Sequence, residues 1–205
     1  MSKKLPDEAP GAAPRVRDRI FQTARELFYR QGIRAVGVDA IACEAGTNKM
    51  SFYRSFASKD ELVAECLRAQ VGEFWLRWDA MLAPHAGDAR AQIEAVFASA
   101  AAKSCSENDC GCPLSNAAVE LREAEHPGHE VIREYKRELR WRLRELARET
   151  GAADWQVLGD GLLLLLEGSN STRLTFGGRG SPLSSAPELV RALLAVYAPA
   201  GRRKR

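Results

Sequence analysis

The sequence predicts an all-α protein, with an N-terminal three-helix domain of the helix-turn-helix kind and a larger helical domain behind it. Three observations predict this. Apolar residues recur at spacings of three and four along most of the 205 residues, and no stretch alternates with the period of a strand. The stretch Val38–Phe56, VDAIACEAGTNKMSFYRSF, sets two short amphipathic segments either side of a glycine. The length suits one or two small domains with real cores, and no internal repeat suggests a solenoid.

Each element has a local reason. Val16, Ile20, Ala24, Leu27 and Phe28 form one face of a first helix that ends at Gln31-Gly32. Val38, Ile41, Ala42 and Ala45 line a short second helix, and Gly46 supplies the tight turn that is cheapest without a Cβ. Asn48 caps a third helix, with Phe52 and Phe56 behind and Lys49, Ser51, Tyr53 and Arg54 elsewhere. An apolar back and a short basic front suit a helix entering a DNA major groove. Ser58 and Glu61 form a capping box for a helix from Lys59 to about Leu82, stopped by Pro84–Gly87.

Asp88 caps a further helix to about Lys103, followed by a cysteine-bearing loop, Ser104–Pro113, and a short helix, Leu114–Glu123. After the turn His126-Pro127-Gly128, a long helix runs from His129 to Thr150, with Ile132, Tyr135, Leu139, Leu143 and Leu146 inward. Its row of arginines (133, 137, 140, 144 and 148) reads as a solvated face with pairs such as Glu138–Arg142, not a second nucleic-acid surface. Asp154 caps a helix containing Leu158 and the run Leu162–Leu166, apolar all round and so buried on more than one side, with Gly161 and Gly168 allowing close approach. Ser185-Ala186-Pro187-Glu188 reads as a second capping box opening an amphipathic helix through Tyr197.

Charge is distributed unevenly. Residues 1–60 hold 11 basic and 7 acidic side chains, net +4, whereas residues 61–205 hold 19 and 20, net −1. The excess lies at the helix-turn-helix end, where phosphate neutralisation needs it. The N-terminus has no apolar signal segment and the run Gly161–Leu166 is far too short to span a bilayer, so no membrane association is expected. Five cysteines, an odd number without an export signal, fit reduced thiols in the cytoplasm. Three histidines, with no metal-protease or phosphate-loop motif, leave little for conventional catalysis. No catalytic residue, cofactor or metal is expected.

Ile20-x3-Ala24-x2-Leu27-Phe28-x3-Gly32, then Ile41-Ala42-x2-Ala45-Gly46, then Phe52-Tyr53-x2-Phe56-x-Ser58-Lys59-x-Glu61-Leu62 closely resembles the N-terminal domain of the TetR family of bacterial regulators. The resemblance covers residues 14–74, about a third of the chain. Gly37-Val38 stands where Thr or Ser is usual, Met50 where Gly is usual, and Ser55 where His or Tyr is common. The organisation it implies is a flexible arm (1–13), a DNA-binding domain (14–74, helix-turn-helix 37–56), a helical ligand-binding and dimerisation domain (75–200) and a basic tail (201–205).

The same resemblance implies a repressor that holds a palindromic operator on double-stranded DNA and pairs into a homodimer through its last two helices. Lys49, Ser51 and Arg54 are expected at base edges, with Asn48, Tyr53 and Lys59 on phosphates. Phe74, Trp75, Trp78, Met81, Phe97, Tyr135 and Trp141 fall where the family keeps an effector pocket for an unknown small molecule, though any one such residue is more often plain core.

Cys105, Cys110 and Cys112 leave three readings open. Cys112 is a small buried hydrophobe, or a thiolate at a helix start with Cys105 or Cys110 to resolve its oxidised form. In the third, the cluster joins His126 or His129 around zinc, at a spacing that fits no common site. Two rivals to a specific regulator remain: a thiol enzyme or peroxide scavenger with Cys112 as nucleophile, and an architectural DNA-binding module without sequence preference.

Overall fold

Local chemistry opens and closes the helices. In a computed structural model that describes residues 15–102, 111–176 and 182–199, Asn48 Oδ1 accepts from Ser51 N at 2.9 Å, Ser58 Oγ from Glu61 N at 3.1 Å and Asp88 Oδ1 from Ala91 N at 3.0 Å. These bonds satisfy amides that have no partner inside their own helix. The helices are α1 (Val16–Gln31), α2 (Val38–Glu44), α3 (Lys49–Ser55), α4 (Lys59–Leu82), α5 (Ala89–Ala102), α6 (Pro113–Glu120), α7 (Gly128–Glu149), α8 (Trp155–Phe176) and α9 (Ala186–Tyr197). Short 3-10 turns lie at Ala83–His85 and Pro182–Ser185, and no strand occurs among the described residues. The arm 1–13, the tail 201–205, Cys105 and Cys110 lie outside them.

Two expected boundaries are corrected. The chain enters α9 through a 3-10 turn, so Ser185 is already helical (φ −86°, ψ −11°) and makes no capping bond; a cap needs extended backbone there. α6 stops at Glu120 because Leu121 turns extended and is buried.

Two sets of buried side chains divide the molecule. Ile20, Ala24, Val36, Ile41, Phe52 and Leu62 centre a small cluster formed by α1–α3 and the start of α4. A larger one joins Trp78, Phe97, Leu139, Leu143, Leu158, Leu162 and Leu194. α4 serves both, giving Leu62 and Cys66 to the first and Val63, Leu67 and Trp78 to the second. It is therefore the shared strut between the helix-turn-helix and everything behind it.

α7 and α8 approach closely at Gly159, where a Cβ would lie 2.7 Å from the Arg144 Cα. A Cβ on Gly161 or Gly168 would meet nothing within 4 Å. The intramolecular close approach is thus at Gly159, and the two glycines singled out in the sequence face open space. Asp160 locks the same pair of helices, accepting two hydrogen bonds each from Arg140 and Arg144 at 2.6–2.8 Å.

Those hydrogen bonds hold the Asp160 carboxyl far below the ordinary carboxylate range. Its stabilising effect is complete above the unfolded-state pKa of about 4 and is lost as pH falls towards the lower folded value. Asp160→Asn is expected to cost about 1 kcal/mol at neutral pH, as befits a solvent-screened pair. It should also reduce the fall in stability between about pH 4 and pH 2, measured by urea unfolding across that range. The remaining arginines of the row are paired too, Arg133 and Arg137 with Glu130 and Arg148 with Glu145.

Candidate DNA interface and effector cavity

The α2–α3 turn is built around Gly46, whose φ of +62° lies in the left-handed region. Thr47 N donates to Ala42 O at 2.9 Å, and Arg19 Nε donates from α1 to Ala45 O at 3.2 Å, so the turn is held from both sides. Phe52 is fully buried, and Phe56 lies beneath the Arg17 guanidinium at 4.6 Å. With its back fixed, α3 exposes Lys49, Met50, Tyr53 and Arg54.

The expected contact residues do not all stand alike. Arg54 is exposed and forms no ion pair among the described residues. Tyr53 is half-exposed, its ring edge-on to Phe52 at 5.3 Å. Lys49 Nζ lies 3.1 Å from Asp39 Oδ2 on α2, an exposed pair that phosphate or a base edge can displace cheaply. Ser51 is half-buried, and its carbonyl accepts from Ser55 Oγ at 2.9 Å. Asn48 is occupied as the cap.

Lys59 is corrected: its Nζ donates to Ile33 O at 2.6 Å over the Phe28 ring, and burial holds its pKa below the usual lysine value. It fastens the α1–α2 connection to α4 and is not a free phosphate ligand. The α1–α2 connection is gripped from the other lobe as well. Glu120, at the end of α6, accepts from Arg34 N at 3.1 Å, and a Cβ on Gly32 (φ +84°) would lie 2.9 Å from the same carboxylate oxygen. His126, between α6 and α7, lies 3.5 Å from Asp60 at the start of α4.

At its other end α6 borders a cavity of about 130 Å³. Of the aromatic and methionine residues expected around an effector, Phe74, Trp78, Met81 and Tyr135 line it, together with Arg77, Ser99, Cys112 and Asn170. Phe74 meets Tyr135 edge-on at 5.1 Å and Trp75 at 4.8 Å. Trp75 lies behind this wall, under the Arg142 guanidinium at 4.2 Å. Phe97 is fully buried in the core.

Trp141 is corrected outright. It is 57% exposed, because it lies six residues past Tyr135 and off the inward row Tyr135–Leu139–Leu143–Leu146. The polar lining was not legible as a group in the sequence, since Arg77, Ser99 and Asn170 come from three different helices.

Two features make the cavity chemically distinctive. Tyr135 is 3% exposed, yet none of the hydrogen bonds among the described residues uses its hydroxyl; burial, with the nearby Cys112 and Glu167, pushes its pKa up. Cys112 stands on the same wall, half-buried, as the residue before the first turn of α6. The thiol and the aromatic lining, separate signals in the sequence, belong to one site. Cys66 is different: burial raises its pKa to about 12, leaving an inert thiol. Beside the cavity, Lys136 bridges Ser115 and Glu167 Oε2, tying α6, α7 and α8 together.

A third surface lies on the outer side of α8 and α9. Leu164 and Val196 are each 74% exposed, with Val157 and Leu189 also uncovered. Val157, Gly161, Leu164 and Gly168 follow one another at spacings of four, three and four, a continuous apolar stripe with two small steps. No described helix is long and apolar enough to cross a membrane.

Comparison with known proteins agrees with this architecture. Residues 20–66 match the family model for bacterial regulatory proteins of the tetR family. The HTH-type transcriptional regulator LmrA of Bacillus subtilis (strain 168) is 27% identical over 170 residues, spanning 77% of this chain and 90% of LmrA. Among solved structures, a TetR-type transcriptional regulator of Streptomyces avermitilis is 28% identical with a TM-score of 0.74, over 90% of this chain and 98% of that one. Escherichia coli NemR in its reduced form superposes with a TM-score of 0.73, over 87% of this chain and 97% of its own, at 17% identity, a likeness of fold.

Proposed function

Since this chain belongs to the TetR family of bacterial DNA-binding transcriptional regulators, we propose that it is a cytoplasmic, homodimeric repressor released from a palindromic operator when the α4–α8 cavity is occupied or Cys112 is modified. The observation that carries the reading is the path of α6. One end of this eight-residue helix carries Cys112 on the cavity wall, and the other holds the α1–α2 connection through Glu120 and Arg34 N.

A ligand or adduct that displaces α6 strains that grip, and with it the orientation of α3. In a twofold dimer the quantity that changes is the separation of the two recognition helices. Release follows from the difference in effector affinity between the DNA-matched and mismatched conformers. The outer stripe of α8 and α9 supports pairing through these helices, as the exposed apolar surface of a monomer would otherwise stay wet. In this reading Arg54 and Lys49 meet base edges, Tyr53 meets phosphate, and Ser51 contributes from the flank.

Alkylation tests the input. Treatment with iodoacetamide is expected to release DNA from the wild-type protein in step with labelling of Cys112, followed by peptide mass spectrometry. Cys112→Ser, within about twofold of wild-type affinity in reductant because it removes one half-buried sulfur, should stay bound. Release of Cys112→Ser at the same rate would remove Cys112 from the mechanism and assign the effect to another thiol, of which Cys43 on α2 is exposed.

A further inference from the structure

The face of α3 that points away from the core is shared by a polar and an apolar residue. At about 100° per residue, the positions two before and two after the buried Phe52 lie about 160–200° from it, facing directly away from the core. Those positions are Met50 and Arg54, one helical turn apart. Tyr53 flanks them. Met50 is 66% exposed, at the N-terminal end of the helix, the end that approaches base edges in this mode of docking.

A single exposed apolar residue is ordinary on a protein surface. Here it lies on the outward face beside Arg54, while Lys49 lies to one side of that face and Ser51 is half-buried. A thioether offers a base edge no strong hydrogen bond. The one apolar feature that differs between base pairs in the major groove is the 5-methyl group of thymine.

We propose that Met50 reads a thymine 5-methyl group in each half-site, with Arg54 contacting a base one helical turn further along α3. A contact of this kind responds to the methyl and not to the hydrogen-bonding edge of the pyrimidine. It therefore also accepts the methyl of 5-methylcytosine, so binding at that position becomes sensitive to cytosine C5 methylation.

The inference rests on operator recognition by α3, and its test keeps the two apart. The duplex enriched by the wild-type protein from random DNA is resynthesised with each thymine of one half-site replaced in turn by deoxyuridine. One position is expected to cost about fourfold in affinity, the worth of one methyl withdrawn from water. Met50→Ala should bind the thymine and deoxyuridine duplexes alike, whereas Met50→Leu keeps the difference. At the same position 5-methylcytosine·guanine should outbind cytosine·guanine by a similar factor for wild type and equally for Met50→Ala.

If no deoxyuridine substitution matters, or if Met50→Ala shows the same sensitivity as wild type, the assignment is overturned while operator recognition stands. Failure to enrich any duplex overturns both. Met50 is exposed, so the alanine variant is expected to fold normally, which its binding to unrelated duplex at low salt verifies.

Discussion

Leu164→Asp is expected to give a folded monomer whose affinity for operator DNA falls by two to four orders of magnitude. Leu164 is 74% exposed, so a carboxylate there costs the isolated subunit little. In the proposed dimer it places two charges on the twofold-related apolar stripe, where neither finds a partner. Losing the dimer makes each half-site contact an independent event, and the lost effective concentration sets the size of the effect. Sedimentation at micromolar protein should show the monomer, with the helical circular dichroism unchanged. A variant that remains dimeric would place the interface elsewhere. A monomer that holds DNA as tightly as wild type would show that pairing does not drive recognition.

Arg54→Ala is expected to cost about 1–3 kcal/mol in binding the preferred sequence and to relax the preference at one base pair, most simply a guanine. Arg54 is exposed and has no ion-pair partner to give up among the described residues. Its guanidinium therefore reaches the groove without first breaking an ion pair. Lys59→Ala makes the contrast. Because Lys59 donates to Ile33 O from over the Phe28 ring, its loss should lower thermal stability while the salt dependence of DNA binding keeps its slope. If Arg54→Ala weakened all sequences equally, Arg54 would be a phosphate ligand.

Arg54 and Lys59 differ in how far the sequence reveals their surroundings. Both carry a positive charge in or beside the third helix, and as a sequence both are expected on DNA, Arg54 at a base edge and Lys59 on a phosphate. Only the folded chain shows that one points away from Phe52 and the other back at a carbonyl of the α1–α2 connection. Elements governed by local chemistry were readable: the Asn48 and Ser58 caps, the Gly46 turn and the inward row of α7 follow from bonds within a few residues. Ser185 failed as a cap because a preceding 3-10 turn, a matter of how the chain approaches α9, had already fixed its backbone.

Long-range juxtapositions were the hidden part. Cys112 and Tyr135 are far apart in sequence and share a wall only because α6 packs across α4 and α7. Gly159 differs little in sequence from Gly161 two residues on, yet it alone of the two faces the α7 backbone. Trp141 shares its residue type with the cavity lining, but the helical period places it outside.

Sequence-specific recognition by a twofold dimer is open to one decisive measurement, selection of random duplex DNA with the purified protein in reductant. The selection is expected to return an inverted repeat whose half-site centres lie about one helical turn, roughly 34–36 Å, apart. Enrichment of no sequence, or of a single unrepeated half-site, would contradict it.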